Sequence, residues 1–317
     1  MKVVLGIDDG RIPVWEILDN DIMVNQLFLK RKVKLPRSLK SRLWVDSGGY
    51  QIMVKGLGIG VDEVAKVYRS TEAKFFLSLD YPVGDPAKFN EEIVKRNIQN
   101  FVRLMEALPS KKIIPVVHLY PSRYLLEATS IYRSYGVDII AYGGIVPPLL
   151  KKTSLRVKSL IGFLILRKAF PNLRIHVLGA GSFLMTRILK GLGADSVDTS
   201  TWRVKAAYGH VIIPGKGERY VGTRKIKFHT PKATEEDLEV LYKELKRTNF
   251  PRLRDFEKLL HDFRGRALIN AWIIAKGDGG IHPKSPFRNL MNYLQQLAEE
   301  PLEQIIREYE VHNNGEQ

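Results

Sequence analysis

Short apolar runs alternate with helix-spaced segments through the first two thirds of the chain, and this alternation constrains the fold more than any other feature. Met1–Ile7 reads as a first strand. Leu43–Asp46, Phe75–Asp80, Ile113–His118, Val137–Gly144, Arg174–Gly181 and Ala194–Asp198 follow as strands that begin 20–38 residues apart. Between them, Val61–Tyr68, Asn90–Leu108, Pro121–Tyr135, Leu155–Ala169 and Phe183–Leu189 carry apolar residues at helical spacing. Strand–helix–strand repeats of this kind build a parallel sheet from right-handed crossovers. Their number predicts an α/β chain with a (β/α)8 barrel of the TIM type over residues 1–210. No Gly-x-Gly-x-x-Gly follows the first strand, where a dinucleotide-binding sheet needs it. Residues 13–42 show no clear period.

Past residue 210 the pattern changes. His210–Lys227 is glycine-containing and β-prone, which predicts a small hairpin. Thr234-Glu235-Glu236-Asp237 is close to a capping box and opens a helix with Leu238, Leu241 and Leu245 on its apolar face. Helices are expected over 252–276, 285–298 and 301–309. Residues 211–317 are thus an extension that packs on the barrel.

The residues at the ends of the strands are the candidate site. In a barrel those ends converge on one face, where active sites are built. They are Asp46, Asp80, His118, Gly143-Gly144, Gly179-Ala180-Gly181 and Asp198. Asp46-Ser47-Gly48-Gly49-Tyr50-Gln51, taken alone, reads equally well as a strand stopping in a tight turn. Set among six such ends it becomes one wall of a pocket: an acid, bare backbone and a stacking ring. Paired carboxylates at a barrel mouth suit chemistry at an anomeric carbon, one attacking while the other handles a proton. A tyrosine flanked by glycines can stack on a planar base, and a third carboxylate can accept from a guanine-type N–H edge. His176 falls mid-strand and reads as a core histidine.

Composition narrows the chemistry and names a partner. The 317 residues include no cysteine, so disulfides, thiol nucleophiles and cysteine-ligated metals are excluded. The histidines show no ligand spacing, and neither a metal nor a cofactor is expected. No apolar run approaches the roughly 20 residues that span a bilayer, and no signal-peptide pattern opens the chain; a cytoplasmic protein without membrane contact is expected. The net charge of +16 favours a polyanion. Lys30, Arg31, Lys32, Lys34, Arg37, Lys40 and Arg42 cluster before the Leu43 strand, and Lys243, Lys246, Arg247, Arg252 and Arg254 surround Phe250. Cations with interleaved aromatics suit nucleic acid. The first cluster is expected to grip phosphates at the mouth.

These residues bring the chain to a family. Asp46-Ser47-Gly48-Gly49-Tyr50-Gln51, Ser78-Leu79-Asp80, Tyr142-Gly143-Gly144-Ile145, Leu178-Gly179-Ala180-Gly181 and Val197-Asp198 with Arg203 resemble, in order, the motifs of the tRNA-guanine transglycosylases. Those (β/α)8 enzymes exchange a guanine in nucleic acid for a 7-deazaguanine, and the match covers roughly residues 43–210. The resemblance implies that Asp198 is the nucleophile on C1′ and Asp46 the general acid/base. It implies further that Asp80 reads the base edge, Tyr50 stacks, Gly144 offers backbone, and Ser47 and Gln51 support the pocket. A base taken out of its stack implies cations around the mouth, Arg203 among them.

The chain departs from the family in two places. His118 stands where a base-contacting amide is usual, and the structural zinc held by three cysteines and a histidine has no ligands here. Without the zinc insert, DNA is slightly favoured over tRNA as the polymer. A catalytically silent nucleic-acid-binding homologue, or a partner subunit of an active enzyme, is the alternative from another class. A glycoside or nucleoside hydrolase fits the basic surplus less well. Which 7-deazaguanine is used, and whether the chain forms a homodimer, stay open.

Overall fold

The computed structural model describes all residues except 9, 31–34, 83–88, 147–148, 150–152, 223–229, 279, 281–284 and 312–317. Nine parallel strands form one sheet: β1 Lys2–Ile7, β2 Ile22–Asn25, β3 Leu43–Asp46, β4 Phe75–Leu77, β5 Ile113–Ile114, β6 Val116–Val117, β7 Ile139–Tyr142, β8 Arg174–Val177 and β9 Ser196–Thr199. Their order is β5-β4-β3-β2-β1-β9-β8-β7-β6. The two terminal strands of that order, β5 and β6, are halves of one strand interrupted at Pro115. Proline has no N–H to give the ladder, but its carbonyl still accepts from Ala141 N at 2.9 Å. Counted this way the sheet is an eight-stranded (β/α)8 barrel.

The crossover helices lie where apolar spacing puts them: Val61–Arg69, Glu91–Ala107, Ser122–Ser134, Thr153–Ala169 and Phe183–Gly191. The first two connections differ. Residues 13–42 hold two 3-10 turns, the four-residue strand β2 and a four-residue helix, Gln26–Leu29. Elements this short cannot display a period, which is why the sequence shows none there.

Alternation along each strand divides the core in two. Leu43 and Val45 point outward into the layer beneath the helices, whereas Trp44 joins Val4, Met23, Phe75, Leu77, Ile114, Val116, Ile139 and Ala141 inside the barrel. Asp46 continues the inward face of β3 one step beyond Trp44. The lumen is therefore closed by hydrocarbon below and opened by carboxylates at the strand ends.

Beyond the barrel, β10 His210–Ile213 and β11 Gly217–Tyr220 pair antiparallel as the expected hairpin. The near capping box at Thr234 is complete: its side chain accepts from Asp237 N, and the Asp237 carboxylate accepts from Thr234 N. The region 252–276 divides into Phe256–His261 and Phe263–Lys276, separated at Asp262, which caps the second helix. That helix is buried nearly all round, because it lies between the barrel helix Thr201–Ala207 and the hairpin. Its Asn270 is fully buried and joins all three parts, accepting from Ile212 N at 2.8 Å and donating to Trp202 O at 3.2 Å and His210 O at 3.0 Å. Asn270→Ala leaves those groups unpaired, so a loss of roughly 2–4 kcal/mol is expected in urea unfolding. The last helix, Leu302–Val311, docks on the barrel by burying Tyr309, whose hydroxyl donates to Tyr120 O. Among the described residues no helix is long and apolar enough to cross a membrane.

Candidate active site

Asp46 ends β3, and two donors converge on its Oδ2: Asn25 Nδ2 at 3.1 Å and Gly48 N at 3.2 Å. Burial pushes its carboxyl up to about 7, with the negative fields of Asp80 and Asp198 adding to the rise. An acid so placed changes protonation near neutral pH, as a proton-transfer group must. Asp198, on β9, accepts from Gly179 N at 2.7 Å through Oδ1. Gly179 reaches this position with φ of +68°, a conformation natural to glycine. Asp46 and Asp198 line one cavity of about 520 Å³, together with Asn25, Gln51, Arg203 and Tyr208.

Asp80 is not among the residues lining that cavity. It is buried beside it, with Oδ1 accepting from Ser47 Oγ at 3.0 Å and Oδ2 lying 3.0 Å from His118 Nε2. His118 is 1% exposed, and neither ring nitrogen has hydrogen-bond alignment with a protein partner. Its ring lies against Gly143, where an added Cβ would come 3.1 Å from Nδ1. Gly49 makes the closest approach in the site: a Cβ there would stand 2.0 Å from the Asp80 carbonyl oxygen. Gly49→Ala must displace the backbone at Asp80, beyond β4, and a loss of at least about 2 kcal/mol in urea unfolding is expected.

The remaining predicted residues are placed as follows. Ser47 is fully buried behind Asp80, and Gly48 abuts Asn25. Tyr50 stands 53% exposed on the helix Gly49–Lys55. Gln51 accepts from Asn25 Nδ2 at 3.0 Å. Gly144 follows β7, and Gly181 packs against the backbone of Asp198 and the side chain of Thr199. Arg203 forms an ion pair with Asp8 at the end of β1.

The basic run requires a correction. Arg37, Lys40 and Arg42 do not reach the mouth. They precede β3, so they lie at the opposite, amino-terminal end of the barrel. There Lys40 pairs with Glu72, ahead of β4, and Arg42 lies 3.7 Å from Asp19, ahead of β2. Lys30, Arg37 and Lys40 line a separate groove of about 1190 Å³ with Lys66 and Arg69. Arg31, Lys32 and Lys34 lie outside the described residues. In the second cluster Phe250 is buried on Trp272, with ring centroids 5.4 Å apart, and is not interleaved with the surrounding cations.

Two residues that contact the paired carboxylates escaped sequence reasoning. Asn25 bridges Asp46 and Gln51 from β2; its signal was the run Ile22-Met23-Val24 ending in a polar residue. His176 is indeed a buried core residue, and Ser196 Oγ lies 2.8 Å from its Nδ1. Its other nitrogen, however, is 3.3 Å from Asp198 Oδ1.

Comparison with known proteins adds one relative. The chain is 32% identical over 315 residues to a protein of Sulfolobus islandicus rod-shaped virus 1 described as Uncharacterized protein 306, an alignment covering 99% of this chain and 94% of the viral protein. The chain belongs to that viral protein's family. Such coverage embraces the barrel and the C-terminal extension together, so the family is defined over the whole fold and not over the site alone. No family model matches the sequence.

Proposed function

We propose that the protein is a base-exchange transglycosylase that replaces a guanine in nucleic acid with a 7-deazaguanine, with DNA slightly favoured over tRNA. The observation that carries this reading is the pair of carboxylates sharing one cavity in different surroundings: Asp46, whose carboxyl is pushed up to about 7, and Asp198, which accepts a backbone N–H. Two acids set apart in this way suit one proton donor and one nucleophile.

In the first half-reaction a carboxylate oxygen of Asp198 bonds to C1′ as the C1′–N9 bond breaks, and protonated Asp46 gives its proton to the departing guanine. The product is a covalent ester between Asp198 and the sugar. In the second half Asp46, now ionised, takes the N9 proton of the incoming base. That nitrogen attacks C1′ and releases Asp198 as carboxylate. The family resemblance assigns the N–H edge of the base to Asp80, which is buried beside the cavity, and the stacking face to Tyr50, which is exposed on its helix. His118, buried 3.0 Å from the Asp80 carboxylate, backs that residue.

Labelled guanine supplied with duplex DNA or with tRNA tests the exchange. Label entering either polymer supports the reading and identifies the polymer; no incorporation into either one overturns it.

A further inference from the structure

We propose that His176 is a positioning residue for Asp198, occupying one carboxylate oxygen so that the other is left for attack. The kinetic consequence rests on the transglycosylase reading; the structural claim does not. Asp198 Oδ1 is approached from two sides, by Gly179 N at 2.7 Å and by His176 Nε2 at 3.3 Å. The second contact lies outside hydrogen-bond alignment, as catalytic contacts without substrate often do. Among the described residues no hydrogen bond to Oδ2 is formed.

The imidazole is fixed from its other sides. It is fully buried, the Trp44 ring lies 4.7 Å away with a tilt of 41°, and Ser196 Oγ sits 2.8 Å from Nδ1. A bare nitrogen lone pair facing a carboxylate would be repelled. A ring bearing one proton therefore carries it on Nε2, and its Nδ1 accepts from the Ser196 hydroxyl. The register explains the arrangement: His176 and Ser196 are paired across β8 and β9, and Asp198 is the next inward residue of β9. The chain Ser196–His176–Asp198 is thus built into the lumen, beneath the cavity. Its role parallels the hydrogen-bonded residues that orient the ligands of a metal site, here applied to a nucleophile.

Long-range proton–nitrogen NMR on the ring reads the tautomer directly. The expected result is protonated Nε2 and unprotonated Nδ1, with the Nε2 proton resonance moving in Asp198→Asn. An Nδ1–H tautomer, or a resonance indifferent to Asp198, overturns the proposal whether or not the protein exchanges bases. Single-turnover kinetics with labelled guanine and nucleic acid add the functional readout. His176→Leu is expected to slow covalent adduct formation about 10–100-fold with KM for the base unchanged. His176→Gln, which keeps an N–H donor, is expected to restore the rate to within about threefold of wild type. Ser196→Ala, a smaller change should the leucine variant not fold, is expected to slow the same step about 3–10-fold. Folded variants that all react at the wild-type rate would reduce His176 to a core residue.

Discussion

Asparagine in place of Asp198 is expected to abolish the proposed base exchange and its covalent intermediate together. The amide is nearly isosteric and its oxygen still accepts from Gly179 N, so the barrel is unchanged, but no carboxylate remains to form the ester with C1′. A loss on the order of 10³–10⁶ in single-turnover rate is expected, the range found when a covalent nucleophile is removed. Circular dichroism and urea unfolding alongside the assay separate this loss from misfolding. An Asp198→Asn protein that still forms adduct would assign the nucleophile to another residue.

Replacing Asp46 by asparagine has two effects with different pH dependence. Without a proton to give or take, the proposed chemical step is expected to slow roughly 10²–10⁴-fold, and the pH–rate profile to lose the limb that titrates near 7. The effect on stability has the opposite sign. The folded-state carboxyl titrates at about 7, above its ordinary value of 3.8, so between those values the folded protein holds a proton that the unfolded chain has released. Stability conferred by the neutral acid is therefore present at low pH and lost as pH rises through 7. Asp46→Asn should match wild type in urea-unfolding free energy near pH 4 and exceed it at pH 8, by up to about 4 kcal/mol. A variant that is destabilised equally at both values would contradict the raised carboxyl.

The barrel and the main site residues are readable from the sequence because each apolar run is long enough to mark a strand and ends in a polar residue or a glycine. Asp46, Asp80, His118 and Asp198 are found this way. Asn25 is not: it ends a four-residue strand followed by a four-residue helix, both below the length at which a period declares itself. His176 is recognisable as buried, but its contact with Asp198 depends on the β8–β9 register, which no local pattern fixes. The basic run illustrates a topological point. In a parallel barrel the chain must return from the mouth to the far end before each new strand, so cations immediately ahead of β3 belong at its amino end. Phe250, set among exposed cations, is buried because its ring faces Trp272 on the neighbouring helix, a tertiary contact invisible to composition.

The cation surplus now divides between the two ends of the barrel. Arg203, paired with Asp8, is the predicted cation that lines the Asp46–Asp198 cavity. The groove holding Lys30, Arg37, Lys40, Lys66 and Arg69 lies at the other end. Among the described residues of the run before β3, none lines the Asp46–Asp198 cavity.

The central claim is a covalent bond between Asp198 and C1′. It is tested most directly by incubating the protein with guanine-containing duplex DNA or tRNA, quenching in denaturant, and mapping the cross-linked peptide by mass spectrometry. The account predicts a denaturant-stable protein–nucleic acid adduct on the peptide carrying Asp198, absent from Asp198→Asn and discharged by added guanine. No adduct with either polymer, or an adduct on a peptide without Asp198, would contradict it.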